Sequence, residues 1–151
     1  MKEYVLLLMI IVFIPCCSSS RKAIISNESD ALLDYNIEIS QGGGFTGNYQ
    51  GYTIDSTGVV KSFEGVISAN SQRDEKGKLS QVQISEINKL IPSILGIRYK
   101  ENGNMTTSIV LKKRSDEIRF SWEGITPGKK VPAELANFYE KVNNIITKIN
   151  K

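Results

Sequence analysis

The chain has 151 residues, with 19 Lys+Arg against 16 Asp+Glu, and 40% of its residues are hydrophobic. A net charge of +3 is too mild to indicate a nucleic-acid surface, and the length suits one domain with its own core. Histidine is absent, which excludes His-based triads, His general bases and the common zinc sites.

In chain order, Lys2 is followed by an apolar run from Tyr4 to Ile14, and Cys16 and Cys17 then meet Ser18, Ser19 and Ser20. As a helix the run would span roughly 16 Å, about half of the ~30 Å hydrocarbon core. It suits a signal-peptide core better than a permanent membrane span. A buried N-terminal helix is disfavoured, because an all-round apolar helix needs burial on every side and no capping residue precedes it. The segment resembles a bacterial lipoprotein signal, with a plain secretory signal as the alternative. Such signals favour Leu, Ile or Val three residues before the modified cysteine. Cys17 has Ile14 there, whereas Cys16 has Phe13. The resemblance therefore implies a signal peptide over residues 1–16 and lipidation at Cys17. Pro15 and Cys16 depart from the commonest Leu-Ala-Gly pattern. A polar tether is expected over residues 17–30, and one domain over residues 31–151. Cys16 would leave with the signal, so no free thiol, disulfide or thiolate site is expected in the domain. Several acyl chains on one cysteine suffice for stable anchoring. Ser18, rather than Asp, after the cysteine leads to an expectation of a cell-envelope location at the outer membrane.

Tyr35, Ile37 and Ile39 alternate with Asn36, Glu38 and Ser40, which predicts a strand with one buried face, ended by Gly42, Gly43 and Gly44. Strands over Tyr49–Asp55 and Val59–Ala69 follow, joined by a tight turn at Ser56-Thr57-Gly58. Asn70–Lys78 reads as a charged loop. Ile87, Leu90, Ile91, Ile94 and Leu95 share a helical face, with Ser85 as a possible cap and a kink or break expected at Pro92. Residues 79–84 read as either strand or first helical turn.

After a connector from Gly96 to Gly103, Met105, Thr107, Ile109 and Leu111 alternate with polar residues. So do Ile118, Phe120 and Trp122, predicting a second hairpin that turns at Arg114-Ser115-Asp116. The last helix starts near Pro132 and carries one stripe of Leu135, Phe138, Tyr139, Val142, Ile145, Ile146 and Ile149. The expected class is α+β, in the order β-β-β-α-β-β-α: two antiparallel hairpins plus an edge strand, with the helices on one face of the sheet.

Residues 42–47, Gly-Gly-Gly-Phe-Thr-Gly, match G-x-G-x-x-G literally. A dinucleotide site would need a helix after the glycines, and a strand follows instead, so no nucleotide or other cofactor is expected. Two readings remain for Gly42, Gly43, Gly44, Phe45 and Gly47. One is a bend whose glycines only shape the backbone, which is preferred because it needs no partner. The other is an interaction loop displaying Phe45. The six tyrosines suggest a carbohydrate platform, but they form no visible cluster and read as packing residues, with Tyr49 and Tyr52 on opposite strand faces. Lys112-Lys113-Arg114 reads as a solvated hairpin end. The acidic residues are scattered and no metal site is expected.

The span from Ile37 to Gly65, followed by a helix, a hairpin and a final helix, resembles emfourin-like domains, small bacterial proteins known as protealysin inhibitors. It also resembles a bacterial lipoprotein domain that often carries cysteines in the same turn, where this chain has Gly43 and Gly44. The resemblance covers residues 34–150 and rests on Gly43, Gly44, Phe45 and Gly47. It implies a metalloprotease inhibitor as one possible role and transfers no inhibitory residue. The preferred expectation is a non-enzymatic envelope protein, held to the membrane by its lipid anchor, that contacts another protein, such as an envelope or secreted protease. A hydrolase using carboxylates or serine is the third, least favoured, reading.

Overall fold

The computed structural model describes residues 31–66 and 72–149. The chain runs β1 (Asn36–Gly43), β2 (Asn48–Ile54), β3 (Val59–Val66), β4 (Arg73–Lys78), α1 (Gln81–Ile94), β5 (Met105–Lys113), β6 (Asp116–Glu123) and α2 (Ala133–Ile149). The six strands form one sheet in the order β4-β3-β2-β1-β5-β6, with every neighbouring pair antiparallel. The α+β class holds, and the order of elements has one strand more than expected. The signal, the lipidation position Cys17 and the tether lie outside the described residues, as do Ile67 to Ala69 of the expected third strand.

The alternation in β1 predicts the layer correctly. Ile37 and Ile39 pair with Ile54 and Tyr52 on one side and with Leu111 and Ile109 on the other. These residues join Phe120, Trp122 and the buried stripes of both helices in a single core. Six residues of the α2 stripe are buried, from Leu135 to Ile146, and Ile149 packs at its end. The opposite sheet face is mixed: Glu38, Thr53, Lys61, Lys112 and Arg119 share the alternate register positions with the buried Phe63, Val110, Ser40, Ser108 and Ser121.

Three expectations are corrected. Residues 73–78 form a strand rather than a loop. β4 is an edge strand whose sequence, RDEKGK, is exposed at five of six positions, so it shows no apolar alternation. Main-chain pairing with β3 holds it, and its charges blunt a free edge. Next, α1 starts at Gln81 and is capped by Ser80, not Ser85. The Ser80 hydroxyl accepts from the Gln83 N–H at 3.3 Å, and the Gln83 side chain accepts from the Ser80 N–H at 2.8 Å. Finally, α1 passes through Pro92 without a break and stops two residues later at Ile94. The proline sits in the last turn, so only one intrahelical hydrogen bond, to the Asn88 carbonyl, is forgone.

The connector before β5 adds to the sheet edge. Lys100 bridges Ser121 in parallel, with Glu101 N–H donating to the Ser121 carbonyl at 2.8 Å. Arg114 takes a positive φ of 56° in the β5–β6 turn. Lys112 pairs with Glu38 and Glu117, and Lys113 lies 5.2 Å from the Tyr35 ring. The basic run is thus a charged hairpin end, as expected.

Candidate functional site

The strands do not end at the glycine cluster. Gly42 and Gly43 remain in the ladder, opposite Tyr49 and Asn48 on β2 and opposite Thr106 and Met105 on β5. The loop proper is Gly44-Phe45-Thr46-Gly47. Its glycines are structural. A Cβ on Gly43 would lie 2.5 Å from the Asn104 carbonyl oxygen, and its φ is +119°. Gly44 and Gly47 hold φ of 70° and 61°, and the Gly44 N–H donates to the Asn104 carbonyl. Side chains rarely adopt such angles.

Phe45, carried on this constrained loop, is fully exposed. The backbone needs its glycines, and the aromatic ring is exposed. Val66, Met105 and Ile125 are also exposed, and they belong to the same end of the sheet. Val66 pairs with Asn48, Met105 pairs with Gly43, and Ile125 follows a Gly124 N–H bond to the Met105 carbonyl. Among the described residues, four of the six exposed large hydrophobic residues thus gather around the hairpin tip. Phe45 is legible in the sequence, whereas the other three come together only through strand register.

A polar network fixes the base of this end. Gln41 donates to the Tyr139 hydroxyl and, at 3.2 Å, to the Ile125 carbonyl. The Tyr139 hydroxyl donates to the same carbonyl at 3.2 Å, and the Thr107 hydroxyl donates to the Gly124 carbonyl at 2.7 Å. Burial pushes the Tyr139 phenol above its ordinary pKa, while bonds to Asn143 and Gln41 oppose that shift. The Trp122 ring meets Tyr139 edge-on, with centroids 5.1 Å apart and an interplanar angle of 87°. The hairpin is therefore bolted to α2.

The opposite end of the sheet receives the incoming chain. The Leu33 N–H donates to the Ser56 carbonyl at the β2–β3 turn. There the carboxylate of Asp55 accepts from the Thr57 hydroxyl and from the Thr57 and Val59 N–H groups. Partial burial pushes its pKa up. Those bonds and the Lys61 charge outweigh burial and hold it below the usual value.

A separate groove of about 620 Å³ lies between α2 and the outer strands, lined by Gln41, Gln50, Tyr52, Asn143 and Asn144 among others. Among the described residues, no three Asp, Glu or Cys side chains are grouped to hold a metal ion. No helix among them is long and apolar enough to cross a membrane. A scan against protein-family profiles finds no match, and no curated protein matches the chain.

Proposed function

We propose that this domain is a non-enzymatic, lipid-anchored envelope module that grips a protein partner with its β1–β2 hairpin tip. The observation that carries the reading is the exposed Phe45 ring on a tight turn whose positive-φ positions are glycines. Two main-chain bonds, Gly44 N–H to the Asn104 carbonyl and Gly47 N–H to the Gly44 carbonyl, pin the turn, and aromatic anchors commonly dominate interfaces. The occupied surface on the partner is concave, since a single protruding ring fits a pocket. Anchoring would proceed through Cys17. The described chain enters at the β2–β3 turn, and the tip lies one strand length away, about 25 Å for eight residues. That geometry favours a protein over the anchoring bilayer as the occupant.

A protruding tip is also how a small protein would enter a protease cleft. This supports emfourin-type inhibition of a secreted metalloprotease as the second reading. The test compares wild type with Phe45→Ala in detergent extracts of the envelope and in an inhibition assay against a secreted metalloprotease. The proposal expects a partner that co-purifies with wild type and is lost from the variant, whose melting temperature is unchanged. Identical co-purification by both proteins would refute it. Phe45-dependent inhibition of the protease would select the second reading.

A further inference from the structure

We propose that the groove between α2 and strands β2–β4 binds a neutral saccharide. Its volume, about 620 Å³, falls in the ~300–1,000 Å³ range of small-molecule sites. Four carboxamides converge on it from three elements: Gln41 from β1, Gln50 from β2, and Asn143 and Asn144 from α2. Tyr52, half-buried and packed against the core, contributes to the same wall.

The chemistry of the lining selects the ligand. A carboxamide presents one acceptor and two donors side by side, which matches a pair of adjacent sugar hydroxyls. A phenol ring presents a face of negative potential to the polarised C–H bonds of a pyranose. Among the described residues, Gln50, Tyr52 and Asn144 make no side-chain hydrogen bond, so their capacity is unspent. The bordering charges are two carboxylates and one lysine, Glu64, Asp74 and Lys76, which does not suit an anion. An extended peptide added as a strand is not served here either. β2 and β3 are paired on both edges and offer no main-chain groups to the groove; β4 has a free edge, but its charged RDEKGK sequence blunts strand addition there. The groove is independent of the hairpin-tip reading: Phe45 does not line it.

The test uses the purified domain with ¹⁵N labelling and tetrasaccharides of glucose, mannose, galactose and N-acetylglucosamine in the millimolar range. At least one should shift the side-chain amide signals of Gln41, Gln50, Asn143 and Asn144 in a saturable way. Gln50→Ala and Asn144→Ala, both at exposed positions, should each weaken binding about tenfold without lowering the melting temperature. Phe45→Ala should bind the saccharide like wild type, which separates this proposal from the tip. Absence of shifts with all four sugars, shifts confined to residues outside the groove, or unchanged affinity in both groove variants would overturn it. So would saturable shifts with a neutral tetrapeptide and none with the sugars.

Discussion

At the residue scale, the glycine cluster and Phe45 separate cleanly into a backbone role and a side-chain role. Replacing Gly43 with Ala forces a Cβ toward the Asn104 carbonyl at a φ of +119°. A loss of roughly 1–3 kcal/mol is expected, measured by denaturant unfolding. Phe45→Ala removes a ring that touches no core and should change stability by less than about 0.5 kcal/mol. Tyr139→Phe keeps the ring packed against Trp122 but deletes the hydroxyl shared with Gln41 and the Ile125 carbonyl. It should cost about 1 kcal/mol, because the carbonyl keeps its bonds from Gln41 and Thr107. Residue types announced part of this. Four Gly around one Phe are visible in the sequence, whereas the Gln41–Tyr139 bond joins positions 98 apart and has no local signature.

At the scale of elements, period-two and helical patterning identified the β1, β5 and β6 strands and the α2 helix, because each buries one face in the same core. β4 was illegible for the opposite reason. Its residues are exposed on both faces, and only β3 defines it. Ser85 lies inside α1, and Ser80 caps it through its reciprocal bonds with Gln83, which the apolar stripe from Ile87 onward does not reveal. Ser80→Ala should therefore lower stability by about 1 kcal/mol, while Ser85→Ala should be close to neutral. The β2–β3 turn carries a pH signature. The pKa of Asp55 is lowered in the fold, so its stabilisation is present above the ordinary value of 3.8 and is lost as pH falls through the lower folded value. Asp55→Asn should reduce stability at neutral pH, and its deficit relative to wild type should shrink below about pH 4. A deficit that stays constant with acidification would place the effect outside the carboxylate.

For the whole molecule, one core joins both helices to one face of the sheet, and the two ends of that sheet differ. Phe138 is fully buried in α2, and Phe138→Ala should cost about 3–5 kcal/mol, a large share of a typical 5–15 kcal/mol total. The polar groove was not legible because its amides come from three elements, and the tyrosines alone form no cluster. The apolar end was half legible, with Phe45 readable and Val66, Met105 and Ile125 gathered only by register. Anchoring belongs to this scale too. Metabolic labelling with a fatty-acid analogue should mark wild type and not Cys17→Ser; persistent label would move the site to Cys16. The most direct measurement of the central claim places a photoreactive phenylalanine analogue at position 45 in living cells, with position 82, exposed on α1, as the control. A discrete protein adduct is expected on illumination from position 45 and none from position 82. Equal adducts from both positions, or adducts with lipid alone at position 45, would contradict it.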